Sequence, residues 1–216
     1  TVSNVHYGSR LLFDRQGHLF YSLGERGEMQ NAQDLSNPLG KVHRVNDDGT
    51  IPKDNPFVNR PGAVPSIWTY GHRNPQGLSW DPVTGLLWES EHGPTGGDEI
   101  NLLEKGKNYG WGVVTMGIQQ GLTLHSKPGM QQPVVYYTPT IAPSGIHVYS
   151  GNLYPRWKNN LFVAGLGYAV RAYGGEAKTV ANWMLGEVAA ALNRAEIDIG
   201  AAPLAPAARA GLLARV

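Results

Sequence analysis

The chain has 216 residues, room for one sizeable domain or two small ones, with a net charge of +1 and only 16% charged side chains. That near-neutral balance gives no electrostatic basis for nucleic-acid binding, and the absence of cysteine excludes disulfides, zinc–thiolate sites and thiol nucleophiles. No apolar run is long enough to span a membrane, and 28 glycines with 15 prolines favour many short strands joined by tight turns over a helical bundle.

Residues 1–6 lack the charged start and apolar core of a secretion signal, so an exported parent would carry its leader outside this chain. His6 stands just before the first expected strand. Histidine is the side chain best suited to general-base work near neutral pH, and a solvated structural histidine is the other reading. Residues 10–22 then read as strand, Asp-containing turn, strand. Residues 77–90 repeat that shape, and 145–151 with 160–165 form a looser copy. Phe13, Trp80 and Tyr149 mark the three copies, 67 and 69 residues apart. A recurring unit of short strands with aromatic and glycine punctuation predicts a β-propeller. Three such units would leave the ring incomplete, with unpaired edges.

Between the first two copies lies a polar turn at 71–77. There Arg73 offers a planar fork for carboxylates, and Asn74 offers both a donor and an acceptor. The alternative is a loop arginine satisfied by local carbonyls. The segment 91–101 packs Glu91, His92, Gly93, Pro94, Gly97, Asp98, Glu99 and Asn101 together, and 107–111 closes it. Calcium takes oxygen donors, main-chain carbonyls included, and glycine lets the backbone approach a bound group. A tight solvated turn between strands is the competing reading. Serine-hydrolase, phosphate-loop and dinucleotide fingerprints are absent from the sequence.

The character changes after Tyr173. Residues 174–216 hold 13 alanines, against 6 in the preceding 173. Val180, Trp183, Met184, Val188, Ala191 and Leu192 recur at helical spacing over 176–194, and Trp183 reads as core. A connector over 193–203 leads to a second short helix at 206–215, with Pro206 at its start.

Four motifs occur in one order: His6-Tyr7-Gly8-Ser9-Arg10-Leu11; Gly71-His72-Arg73-Asn74-Pro75-Gln76-Gly77; Glu91-His92-Gly93-Pro94 with Gly97-Asp98-Glu99-Ile100-Asn101; and Gly106-Lys107-Asn108-Tyr109-Gly110-Trp111. Together they resemble the soluble quinoprotein aldose sugar dehydrogenases of the glucose/sorbosone dehydrogenase family, over residues 1–166. The resemblance implies a mainly β chain: part of a six-bladed β-propeller, about three to four blades, followed by a short α-helical tail. It implies pyrroloquinoline quinone (PQQ) and calcium as cofactors, an aldose sugar as substrate, an external electron acceptor and a periplasmic parent.

The same resemblance assigns roles. His6 falls on the catalytic base, and Arg73 and Asn74 face the quinone, with Arg73 stabilising negative charge on its oxygens. Gly93 and Pro94 would offer main-chain carbonyls to the calcium that polarises PQQ. Glu99 and Tyr109 match ligands of a second, structural calcium, and Gln30 falls where some members contact sugar. Departures are expected to matter. Val5 replaces an acidic residue of the glucose-specific branch, and Gly167-Tyr168-Ala169 supplies none of the basic residues that grip the cofactor in the family. Activity is therefore expected to be weak or lost.

Residues 174–216 resemble the helical C-terminal region of the B subunit of aspartyl/glutamyl-tRNA amidotransferase, a cytoplasmic parent, with 167–173 as a junction. The alternative function is thus a non-catalytic fusion, a chimera whose tail alone would touch tRNA.

Overall fold

The computed structural model describes residues 3–165. The junction and the helical tail expected from the sequence lie outside the described residues. Within them the chain divides into two compact units, residues 3–148 with 161–165, and residues 149–160.

The first unit is built almost entirely of antiparallel sheet. Strands β1 (Leu11–Phe13), β2 (Leu19–Leu23), β3 (Lys41–Val45) and β4 (Ile67–Tyr70) form one four-stranded sheet in chain order. Strands β5 (Pro75–Trp80), β6 (Leu87–Glu91), β7 (Asp98–Leu103) and β8 (Val135–Tyr137) form a second, again in chain order. Strands β9 (Pro143–Val148) and β10 (Leu161–Gly165) pair as a two-stranded third sheet. A single turn of helix, α1 (Met29–Gln33), bridges β2 and β3. Successive up-and-down sheets are the blade pattern of a propeller. Among the described residues there are two four-stranded sheets and one hairpin.

The sequence repeat is the opening hairpin of each sheet. Phe13 pairs with Leu19, and Trp80 pairs with Leu87. The turns share one chemistry. Asp14 Oδ1 accepts the Gln16 and His18 N–H groups, each at 2.8 Å, and Asp81 Oδ1 accepts the Val83 N–H at 2.8 Å. An aspartate that satisfies its own turn in this way is what makes the motif recur.

Side-chain alternation sets the core. In β2, Phe20 and Ser22 point inward while their neighbours are half-buried. The Phe20 ring meets Trp68 edge-on at 5.4 Å and Trp80 at 5.2 Å, so it joins the first sheet to the opening strand of the second. Burying such a side chain contributes about 1.5–3 kcal/mol, and each edge-on aromatic pair adds roughly 0.5–1.5 kcal/mol. Val42, Leu78, Leu87, Leu103 and Tyr109 complete the cluster.

β3 carries a pH-sensitive element in His43, which is fully buried. Its Nε2 donates to the Pro38 carbonyl at 2.8 Å, its Nδ1 lies 2.9 Å from the Ser66 hydroxyl, and its ring stacks on Tyr21 at 4.7 Å. Burial lowers its pKa from 6.5 to about 4. A base with a depressed folded pKa stabilises the fold fully above pH 6.5. That contribution is lost as the pH falls through the window down to about 4, because the unfolded chain binds the proton first. Roughly 3 kcal/mol is at stake at 1.36 kcal/mol per unit. Urea titrations from pH 7 to 4 are expected to show this loss, and His43→Gln should flatten it. An unchanged slope in the variant would rule the histidine out.

In the second unit, Tyr149, Tyr154 and Trp157 cluster around a 3₁₀ turn at Pro155–Trp157. Tyr154 and Trp157 lie 4.6 Å apart, and the Tyr154 N–H donates to the Tyr149 hydroxyl at 3.1 Å.

Candidate active site

Strand alternation gathers the candidate residues at one edge of the first unit. His6 precedes β1 and Glu25 follows β2. Residues 72–74 join β4 to β5, residues 92–97 join β6 to β7, and residues 108–111 follow β7. The Asp14 and Asp81 turns occupy the opposite end of the same hairpins.

His6 adopts a left-handed backbone, φ 58°. The Arg26 guanidinium holds it there by donating to the His6 carbonyl. Its Nδ1 lies 2.5 Å from Oε1 of Glu25, whose carboxylate is 1% exposed while the histidine ring keeps 17%. A carboxylate so close accepts a hydrogen bond from Nδ1–H, which keeps the proton on Nδ1 and leaves Nε2 as the basic atom. The Glu25 N–H in turn donates to the Arg73 carbonyl at 2.9 Å, tying the pair to the neighbouring turn. Glu25 was not singled out from the sequence. It sits in an ordinary Gly24-Glu25-Arg26-Gly27 run, and only the pairing of β1 with β2 brings it to His6.

Arg73 is largely withdrawn from water. Burial lowers its pKa, opposed by Glu25, Glu91 and Asp98. Nη1 donates to the His92 carbonyl at 3.2 Å and the guanidinium lies 5.1 Å over the Trp111 ring. Its Nε and the Trp111 indole N–H are both buried without a partner. Two orphan donors on facing groups suit a ligand rich in oxygen acceptors. Local carbonyls therefore satisfy this arginine only in part. Asn74 Oδ1 accepts the Gly8 N–H at 2.8 Å, which leaves its amide nitrogen as the donor it offers.

Glu91 anchors this turn from behind. Oε2 accepts the Arg73 N–H at 2.6 Å and the Asn74 N–H at 3.3 Å. Oε1 faces His72 Nδ1 and Asn101 Nδ2, both at 3.2 Å. Asn101 Nδ2 also reaches Glu89 at 3.0 Å and Glu99 at 3.2 Å. Three carboxylates thus share an amide with two hydrogens, and one oxygen of Glu89 is left buried and unpaired. Burial, then the charge of Glu91, pushes the Glu89 and Glu99 carboxyls well above the ordinary range. This concentration of unbalanced oxygen favours a nearby cation. His72, Glu89 and Glu91 bring ligand-type atoms within 4.8 Å of one another. Glu91 is nonetheless already saturated by donors, so a cation is better served on the Glu99 side.

There the structure offers room. A cavity of about 10 Å³ is lined by Arg73, Gly93, Pro94, Glu99, Tyr109 and Thr115, among others. That is about the space for one water or ion. The Tyr109 hydroxyl is consumed by the Leu102 carbonyl at 2.5 Å and the Glu104 N–H at 2.9 Å, which leaves only its main chain for a metal. Gly93 and Gly97 are dictated by close approach. A Cβ on Gly93 would stand 2.2 Å from the Gly97 carbonyl oxygen, and one on Gly97, at φ +73°, 2.3 Å from the Gly117 nitrogen. The carboxylate and main-chain oxygens around this single-ion space suit a hard cation such as calcium, and the orphan donors on Arg73 and Trp111 suit an acidic ligand rich in oxygen acceptors.

The family described as "Glucose / Sorbosone dehydrogenase" matches residues 1–177. The chain belongs to the glucose/sorbosone dehydrogenase family. It is similar to the aldose sugar dehydrogenase YliI of Escherichia coli, 46% identical over 167 residues, which cover 74% of this chain and 45% of that protein. Among solved structures it resembles the soluble aldose sugar dehydrogenase of Escherichia coli in its apo form (TM-score 0.73, 44% identity, 76% of this chain and 50% of that one). It also resembles the PQQ-bound aldose sugar dehydrogenase of Streptomyces coelicolor (TM-score 0.60, 33% identity, 76% and 43%). A separate similarity joins 40 residues, 18% of the chain, at 62% identity to 8% of the B subunit of the aspartyl/glutamyl-tRNA amidotransferase of Ralstonia pickettii. The chain spans less than half the length of the curated sugar dehydrogenase relatives it matches.

Of the residues expected at a sugar dehydrogenase site, Arg73, Gly93, Pro94, Glu99 and Tyr109 share the small cavity. His6 is tied to Arg73 through Glu25, and the Asn74 N–H is held by Glu91, which also lines the cavity. Gln30 does not line it. That side chain is exposed on α1 and donates to Glu28 at 2.8 Å. Among the described residues, no helix is long and apolar enough to cross a membrane.

Proposed function

We propose that this chain carries the catalytic edge of a PQQ- and calcium-dependent aldose dehydrogenase, oxidising the sugar at C1 to the lactone. The observation that carries the reading is the His6–Glu25 pair, 2.5 Å apart, on the same edge as Arg73 and the 92–97 loop. His6 Nε2 takes the proton of the C1 hydroxyl, while Glu25 holds the ring and balances the imidazolium that forms. PQQ, when bound, would supply the two-electron acceptor for the C1 hydride, and a calcium held by Gly93 and Pro94 would polarise it. Arg73 places its positive charge where negative charge develops on the quinone oxygens, and the Asn74 amide nitrogen orients the ring. Glu99 and the Tyr109 main chain border the same one-ion space as Gly93 and Pro94, so here they would serve that calcium rather than a second, structural one, and Gln30 would reach the sugar. The electrons then leave to an external acceptor, and the parent protein would work in the periplasm. The expected basic grips on the cofactor are missing at 167–169, so turnover is expected to be weak.

A second reading has its own support. The short match to the amidotransferase B subunit, together with the resemblance of residues 174–216 to that subunit, suits a chimera that performs no oxidation. The domain division proposed is 1–166, 167–173 and 174–216. Dye-coupled aldose oxidation by the purified chain, with and without PQQ and calcium, separates the readings. Turnover that needs both supports the dehydrogenase. A folded chain that neither turns over nor binds calcium supports the chimera.

A further inference from the structure

We propose that Asp98 is a positioning residue, a buried latch that fixes the 92–97 loop to the chain entering the third sheet. Asp98 opens β7 and is 1% exposed. Oδ1 accepts the Gly93 N–H at 2.8 Å. Oδ2 accepts the Ile141 N–H at 2.7 Å, the Ala142 N–H at 2.8 Å and the Thr140 hydroxyl. One carboxylate thus takes four donors, one from the loop and three from the segment that leads into β9. Ala142 sits at φ 48°, a left-handed conformation that a residue with a Cβ keeps only when its surroundings impose it. Two further bonds run alongside. The Gly97 N–H donates to the Tyr137 carbonyl at 2.8 Å, and His92 Nε2 meets the Pro143 carbonyl at the same distance.

The physical consequence is a coupling. Asp98 holds the His92–Gly93 peptide at the start of the loop that carries the Gly93 and Pro94 carbonyls, and Asp98 takes its own position from residues 140–142. Loosening of the third sheet is transmitted to the loop through this side chain, with the His92–Pro143 bond beside it. The consequence for calcium rests on the function proposed above; the latch itself does not.

The test therefore reads the loop first and the metal second. Thr140→Val removes one donor on the far side of Asp98 and leaves the Gly93 bond intact. Hydrogen exchange of the full chain should show amides in 92–97 opening about tenfold faster in Thr140→Val, with β2 and β3 unchanged. Thr140→Ser keeps the hydroxyl and should restore protection. Asp98→Asn places an amide among the donors and should open the loop further. Calcium titration should weaken roughly tenfold in Thr140→Val. Unchanged loop exchange in Thr140→Val, or a rise spread evenly over the chain, would overturn the latch. A wild-type chain that ignores calcium would instead count against the proposed dehydrogenase site, while the exchange result would still decide the latch.

Discussion

Glu91→Ala is expected to cost the fold about 3–5 kcal/mol, a large share of the roughly 5–15 kcal/mol that holds an ordinary domain together. The side chain is 3% exposed and accepts from two main-chain N–H groups, an imidazole and an amide. Removing it leaves the Arg73 and Asn74 N–H groups and His72 Nδ1 facing nothing, each with its full desolvation penalty, while Asn101 keeps Glu89 and Glu99. The same deletion frees the turn that presents Arg73 and Asn74. Glu91→Gln is the gentler probe, because it keeps one acceptor oxygen and adds an NH₂ that must face donors. It should lose less stability, yet still displace the Arg73 and Asn74 amides in a ¹H–¹⁵N spectrum. Urea denaturation reads the first effect. A loss below about 1 kcal/mol in Glu91→Ala, the size of an ordinary surface change, would mean that water or a shifted backbone replaces the carboxylate, and the anchoring role would fall.

Much of this arrangement was legible in the sequence because its causes are local. The Asp14 and Asp81 turns betray the hairpin repeat, and Phe13, Trp80 and Tyr149 mark where each sheet opens. Gly93 and Gly97 are required by backbone approach, a constraint that shows in the residue type itself. Arg73, Gly93, Pro94, Glu99 and Tyr109 lie in segments dense enough in polar and glycine residues to draw notice before any geometry is known. What the sequence hid is tertiary. Glu25 reaches His6 only because β1 and β2 pair, and the Asp98 latch joins a strand to residues more than forty positions later. Asn101 gives no hint of mediating among three carboxylates until β6 and β7 are laid side by side.

His6→Ala is expected to cut PQQ-dependent turnover by about 10²–10⁴-fold, the range for losing a positioned general base, and Glu25→Ala by less. The two variants should differ in kind. Without His6 no group is placed to take the hydroxyl proton, so the loss falls on the chemical step. Without Glu25 the imidazole survives but nothing fixes its proton on Nδ1. The ring can then present the wrong nitrogen, and the imidazolium formed during the reaction has lost its counter-charge. That difference can be read without cofactor. ¹⁵N shifts of the His6 ring in the wild-type chain should report the Nδ1–H form, and Glu25→Ala should show a mixture of tautomers. Equal turnover in wild type and His6→Ala would remove the histidine from the mechanism. An unchanged tautomer in Glu25→Ala would mean that the short contact orients nothing, and the basic atom would have to be sought elsewhere on this edge. If both expectations hold, a base and its orienting carboxylate survive intact in this chain, and weak turnover would then point to a poorly held cofactor rather than to damaged chemistry.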